Sequence, residues 1–214
     1  TKIVITSGRP LPGTEPYYAK LGIDKKDDQY AINYNGATIR TTSGRMISEA
    51  TLTIKDYKDI YSLANKIGVK IQAETADCIY TPYLSAPKYT KYEQKLTNAK
   101  IRHVRMQDLK KSDVIAKIMF IDEPEIISRV KKELPAWVYD RFNVVPSSPV
   151  YIEFIDKKVS KGNAVRTLAE KLGIDISQVM AIGDQGNDLS MIEAAGVGVA
   201  MGNGIDDLKS IAQF

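Results

Sequence analysis

A single cysteine, Cys78, leaves no internal disulfide to be made, so the fold does not depend on an oxidising compartment, which favours the cytoplasm. Histidine is equally scarce. His103, the only one, lies in a basic stretch with no His or Cys partner nearby, which excludes a zinc site or a Ser-His-Asp triad built around it. No apolar run approaches the roughly 18 to 20 residues that span a bilayer, and no basic-then-apolar start resembles a signal peptide, so no membrane partner is expected. Charge of one sign is lacking too. Thirty Lys plus Arg stand against 26 Asp plus Glu, a formal net charge of +4 that is too small and too dispersed to argue for nucleic acid. There is no internal repeat, no low-complexity linker and no Asp-x-Asp anywhere in the chain.

What is present is enough for one full hydrophobic core and a second, smaller one: 214 residues, 43% of them hydrophobic. The chain opens at Thr1 directly into the apolar run Ile3 to Thr6, and Ile205 to Phe214 stops inside a helical pattern, so both ends read as internal to a longer protein. Along the chain, Ile3 to Thr6 reads as a buried strand breaking at Ser7-Gly8-Arg9-Pro10, followed by a helix over Pro12 to Leu21. Ala31 to Tyr34 reads as a second strand, turned by Asn35-Gly36 and followed by a hairpin around Ser43-Gly44. From about Glu49 the pattern becomes a separate α/β block. It has a helix over Lys55 to Ile67, strands at Val69 to Glu74, Ile115 to Ile121, Val144-Val145 and Val150 to Ile155, and a helix started by Pro124. Strand and helix order there predicts an open sheet with helices on one face. Tyr89 to Asn98 has no clear period, and Lys100 to Lys111, with five basic side chains besides His103, reads as a solvated face. After Ser160 the βα alternation returns, with helices over Gly162 to Leu172 and Leu189 to Ala195 and strands over Val179 to Ile182 and Val197 to Met201. This implies a parallel sheet that binds ligands beyond the carboxyl ends of its strands.

Three of these strand ends and helix starts carry chemistry. Ala181-Ile182-Gly183-Asp184-Gln185-Gly186-Asn187-Asp188 releases two carboxylates and an amide into one turn, the oxygen-rich donor set that Mg²⁺ prefers. Asp184 is the expected direct ligand. Asn187 and Asp188 either support a metal-bound water and orient Lys161, or only cap the following helix. Ser7, Gly8 and Arg9 end another strand, where a hydroxyl and backbone N–H groups suit phosphate oxygens, although an ordinary strand-to-helix turn explains the same residues. Lys161 opens a helix, a position that the helix dipole disfavours for a cation. It either offsets negative charge on a phosphoryl group or is merely solvated.

Taken in order, Thr6-Ser7-Gly8-Arg9, Asn35-Gly36-Ala37, Ser160-Lys161-Gly162 and Gly183-Asp184-Gln185-Gly186-Asn187-Asp188 resemble the Cof-type haloacid dehalogenase (HAD) hydrolases, as do Ile121-Asp122-Glu123-Pro124 and Ala200-Met201-Gly202-Asn203. The resemblance implies an α/β fold, a Rossmann-like parallel-sheet core from residues 1–46 and 156–214 with an inserted α/β cap of type IIB over 47–155. It implies a Mg²⁺-dependent phosphatase acting on a small phosphorylated metabolite, with sugar phosphates as the expected class and no nucleic acid or membrane partner; it leaves the oligomeric state open. Ser7 matches the residue that hydrogen-bonds the phosphoryl group, Lys161 the one that stabilises its charge, and Asp184 and Asp188 the acidic motif that holds Mg²⁺. Asn35 and Gly36 match a loop that faces the phosphate. The family's nucleophile and general acid–base come from an Asp-x-Asp at the end of a central strand, which this chain lacks. Residues 1–214 alone are therefore expected to be inactive, the aspartyl-phosphate forming on an Asp outside them. The alternative is a module that binds a phosphometabolite without turnover.

Overall fold

The computed structural model describes residues 1–75, 78–110 and 113–214, so Lys111, at the end of the basic run, lies outside the described residues. The elements in chain order are β1 (Val4–Thr6), α1 (Leu11–Lys20), β2 (Tyr30–Asn33), β3 (Thr38–Thr41), β4 (Met46–Glu49), α2 (Ile54–Ile67), β5 (Lys70–Thr75) and β6 (Cys78–Thr81). There follow α3 (Lys88–Thr97), β7 (Lys100–His103), β8 (Ile115–Ile121), α4 (Pro124–Glu133), α5 (Ala136–Arg141), β9 (Phe142–Ser148) and β10 (Tyr151–Asp156). The chain ends through α6 (Lys161–Lys171), β11 (Met180–Gly183), α7 (Leu189–Ala194), β12 (Val197–Ala200) and α8 (Asp206–Ile211). Two compact units result, one from Thr1–Gly8, Tyr17–Ala50 and Lys158–Phe214, the other from Arg9–Pro16 and Thr51–Lys157. No helix among the described residues is long and apolar enough to cross a membrane.

The first unit holds two sheets. In one, β1 pairs parallel to β2, and β3 and β4 continue antiparallel; in the other, β11 pairs parallel to β12. Helix α6 serves both. Its Ala164 and Leu168 pack with Tyr30, Ile32 and Ile39, while Val165 also reaches the cluster of Ala181, Met191, Ile192 and Leu208. Among the described residues β1 and β11 each pair on one side only, and β11 leaves Met180 and Ile182 more than half exposed. The strand read over Ala31 to Tyr34 ends one residue earlier. Tyr34 and Asn35 both take positive φ (53° and 56°) and form a tight 3-10 turn instead.

The second unit is built on a six-stranded sheet in the order β7-β6-β5-β8-β10-β9, antiparallel except for the β6 and β7 pair. Strand β8 is buried at all seven positions and sits near its centre. Alternation divides its side chains: Ile118 and Phe120 join Ile71, Ile152 and Phe154 on a face covered by Ile60, Leu63, Ile127, Val130 and Val138 of α2, α4 and α5. Helix α2 starts from a reciprocal capping box, Asp56 N–H donating to Thr53 Oγ1 (3.1 Å) and Thr53 N–H to Asp56 Oδ2 (2.7 Å).

The opposite face is not bare, which corrects the expectation of helices on one face only. Met119, Ile121 and Tyr151 form a small apolar cluster there, and Lys117, buried beside them in the same alternation, lies 3.9 Å from Glu93 of α3. Helix α3 went unrecognised because its buried positions are Thr90, Glu93 and Thr97, so a helical spacing exists but carries no hydrophobic signal. The short α5 was missed for a different reason. Six residues between Pro135 and Phe142 give less than two turns in which a period can show.

Candidate active site

Four chain segments converge within the first unit. Strand β1 delivers Ser7 and Gly8, with Ser7 N–H donating to Ile32 O (2.9 Å) and Ser7 O accepting from Asn35 N–H (3.0 Å). The Asn35 amide lies against Gly8, where a Cβ would come within 3.1 Å of Asn35 Oδ1. Gly36, at φ 111°, then passes the start of α6 so closely that a Cβ would lie 2.4 Å from Ser160 O. Only glycine satisfies both the dihedral angle and the approach.

Helix α6 is capped by Ser160, whose Oγ accepts from Asn163 N–H (3.1 Å), and its first residue is Lys161, 6% exposed. The side chain is almost wholly withdrawn from solvent. It donates to Asp188 Oδ1 at 2.5 Å, and the partner carboxylate is equally buried. Asp188 Oδ2 meanwhile accepts from the backbone N–H groups of Asp184 (2.9 Å) and Gln185 (3.0 Å). Burial alone would raise the carboxyl's pKa, but the Lys161 hydrogen bond, the two backbone donors and the nearby positive charge outweigh it and hold the group below the usual carboxylate range. The helix dipole opposes a cation at this position; the short bond to Asp188 offsets it. That pairing depends on Gly162. Its Cβ would fall 2.1 Å from Ser190 O, and its N–H donates to Ser190 Oγ (3.0 Å), so α6 and α7 meet with no room for a side chain.

Asp184, at the end of β11, is half-buried, and one oxygen accepts from Asn203 Nδ2 (3.3 Å). Asn187 is exposed and its amide donates to Asn35 Oδ1 (2.9 Å), which joins the acidic turn back to the loop that holds Ser7. A closed circuit results: Ser7 to Asn35, Asn35 to Asn187, Gly36 to Ser160, Lys161 to Asp188. Of the residues singled out in sequence, Ser7, Gly8, Asn35, Gly36, Lys161, Asp184, Asn187 and Asp188 are brought together in this unit. Arg9 clusters with the other unit, its stem against Gly13. Asn203 was not assigned a role, although Met201-Gly202-Asn203-Gly204 follows an apolar strand and strand-end position was the available signal.

For a hard cation the fit is partial. Asp184 offers a carboxylate, Asn187 an amide oxygen, and Asp188 is already engaged by three donors, so further oxygens would have to come from water, phosphate or another carboxylate. No cluster of three or more His, Cys, Asp or Glu placed to hold a metal occurs among the described residues. One fixed ammonium, neutral donors and one available carboxylate together suit a phosphoryl group approached by a divalent cation.

A family model described as haloacid dehalogenase-like hydrolase matches residues 1–214. Among similar proteins, "Putative phosphatase YxeH" of Bacillus subtilis (strain 168) is 38% identical over 214 residues, which is all of this chain and 79% of that protein. "Putative phosphatase M6_Spy0533" of Streptococcus pyogenes serotype M6 is 38% identical over 213 residues, 99% of this chain and 78% of that one. A crystal structure of a haloacid dehalogenase-like hydrolase from Bacteroides thetaiotaomicron superposes with a TM-score of 0.86 at 29% identity, covering 99% of this chain and 79% of its own.

Proposed function

Because the chain belongs to the haloacid dehalogenase-like hydrolase family, we propose that it serves a Mg²⁺-dependent phosphatase of small phosphorylated metabolites, sugar phosphates first among them. Its fold is the α/β, Rossmann-like architecture of that family. The observation that carries the proposal is the buried Lys161–Asp188 pair beside the half-buried Asp184, all at the mouth of strands whose loops supply neutral donors. Ser7 and the Asn35-Gly36 loop orient the phosphoryl oxygens, and Lys161 offsets their charge while Asp188 fixes its position. Asp184 would hold Mg²⁺ directly, with Asn187 and Asp188 acting on its surroundings; the ion supplies charge neutralisation and a template for the phosphate.

In this reading the nucleophile is an Asp outside residues 1–214, carried by a strand lying between β1 and β11. Two features support that placement: the one-sided pairing of β1 and β11, and the exposed Met180 and Ile182 of β11. Attack of that carboxylate on phosphorus forms an aspartyl-phosphate and releases the alcohol, and water then returns the carboxylate and inorganic phosphate. The second unit is read as the type IIB cap, with 47–155 as its extent, and the buried thiol of Cys78, in no disulfide, fits a cytoplasmic setting.

The test is the protein taken from its host: its intact mass, then phosphate release from a panel of sugar phosphates, nucleotides and cofactor phosphates with and without Mg²⁺. The expected result is a mass above 23.8 kDa and Mg²⁺-dependent turnover that Asp184→Asn abolishes without changing the melt. No release from any member of the panel refutes it. Tight sugar-phosphate binding alongside that silence would instead mark a phosphometabolite-binding module.

A further inference from the structure

The second unit buries more carboxylate than it can neutralise. On the sheet face under α3, Lys117 of β8 is 5% exposed and its ammonium lies 3.2 Å from Glu153 of β10, 3.4 Å from Glu74 of β5 and 3.9 Å from Glu93 of α3. Three carboxylates therefore surround one cation. Lys117 donates a hydrogen bond to Glu153, whereas among the described residues neither oxygen of Glu74 is met by a well-formed hydrogen bond and only the 3.4 Å approach of Lys117 opposes its charge; Gln72 Oε1 and Thr90 Oγ1 are likewise unmatched. The layer is short of donors. A fully buried ionised carboxylate with both oxygens unmatched carries a large desolvation cost, and protonation removes the charge while adding the missing O–H.

We propose that this cluster is a proton-binding site: Glu74 is held as the neutral acid at physiological pH, and the closure of α3 over the sheet is linked to that proton. Among the described residues, the groups around Glu74 come from β5, β6, β8, β10 and α3. Besides Lys117, Glu93 and Glu153, Tyr151 of β10 shares the cluster as an electrostatic neighbour of both Glu74 and Glu93, and β6 places Ile79 opposite Glu74. Burial, reinforced by Glu93 and Glu153 and opposed by Lys117, pushes the Glu74 carboxyl up to about 8. Lys117 itself stays charged, since its burial is outweighed by Glu153, Glu74 and Glu93.

The sign of the linkage follows. With α3 lifted, Glu74 returns to its ordinary value near 4.5, so between about 4.5 and 8 the closed form binds more protons than the open one. Opening of α3 therefore becomes easier as pH rises through that window, by about tenfold per pH unit, and levels off above 8, where both forms are ionised.

Two measurements on the whole chain test this, and neither involves turnover. A ¹³C NMR titration of the Glu side-chain carboxyls should show Glu74 changing with a midpoint near 8. Hydrogen exchange of the α3 amides at 91–98, divided by the intrinsic rate, should rise about tenfold per pH unit from pH 5.5 to 7.5. In Glu74→Gln, whose amide stands in for the neutral acid, that slope should vanish. A Glu74 midpoint in the ordinary carboxylate range, an unchanged slope in Glu74→Gln, or failure of that variant to fold at pH 7 would each overturn the proposal.

Discussion

Replacing Lys161 by Met removes the cation from the most deeply buried ion pair of the first unit while keeping the volume of the side chain. Asp188, its side chain 5% exposed, then remains as a charge whose only hydrogen-bond donors in that contact are Asp184 N–H and Gln185 N–H. Breaking a buried pair from one side costs about 3 to 5 kcal/mol, and the two surviving backbone donors place this case near 3. For a chain of this length each kcal/mol lowers the melting temperature by about 2 to 4 °C, so a drop of roughly 6 to 12 °C is expected by calorimetry at pH 7. The double variant Lys161→Met with Asp188→Asn buries no charge, and its loss should fall short of the sum of the singles by roughly 2 kcal/mol. The pH dependence gives an independent check. Asp188 is depressed in the folded protein, so its contribution is complete above the ordinary carboxylate range and is lost as pH falls through its lower folded value. In Lys161→Met burial is no longer opposed by the lysine, and the Asp188 midpoint should move upward in an NMR titration. A melt within 2 °C of the parent, about 0.5 to 1 kcal/mol, together with an unmoved Asp188 midpoint, would falsify the account of the pair as a desolvated, mutually dependent unit.

On the proposed role of Asp184 as the Mg²⁺ ligand, Asn203→Ala, which removes a side-chain donor from its carboxylate, should weaken Mg²⁺ affinity measured by calorimetry about 10-fold or more; unchanged affinity would show that the 3.3 Å contact does not orient the carboxylate. Gly162→Ala places a methyl 2.1 Å from Ser190 O and should cost about 1 to 3 kcal/mol in denaturant melts, with a stability equal to the parent ruling out the tight α6–α7 contact. Thr53→Ala removes the capping box of α2, and about 1 kcal/mol should be lost in the second unit, read as a lower urea midpoint at constant slope.

Much of this arrangement was legible in sequence, for a physical reason that also explains what was not. Ile115 to Ile121 stood out because a strand buried on both faces is apolar almost throughout, and Val179 to Ile182 because an apolar run emptied into an acidic turn. Strand-end position then grouped Ser7 with Asp184 before any coordinates, and Lys161 stood out as a cation opening a helix. Distances between them were not available to that argument, so it left Lys161 either solvated or functional and Asp188 either a cap or a support. The 2.5 Å bond between them rules out a solvated Lys161 and makes Asp188 its partner, while Asp188 also closes on the backbone of its own turn. Asn203 also follows a strand end, but that position alone does not say that the turn after β12 folds back to Asp184.

Helix α3 escaped notice for the opposite reason to β8. Periodicity methods detect a face by its apolarity, and the buried face of α3 is Thr90, Glu93 and Thr97, which read as surface until a buried Lys117 is found beneath them. Lys117 itself sat in an apolar strand as a single interruption. Comparing the two buried lysines shows how stoichiometry separates their roles. Lys161 meets one carboxylate whose second oxygen has backbone donors, so the charge is balanced one to one and the pair holds geometry. Lys117 meets three carboxylates, one of which has neither oxygen met by a hydrogen bond among the described residues, so one cation leaves an excess of negative charge that proton binding relieves. A matched buried pair therefore fixes a position across the neutral range, while an unmatched cluster makes the packing of its covering helix depend on pH.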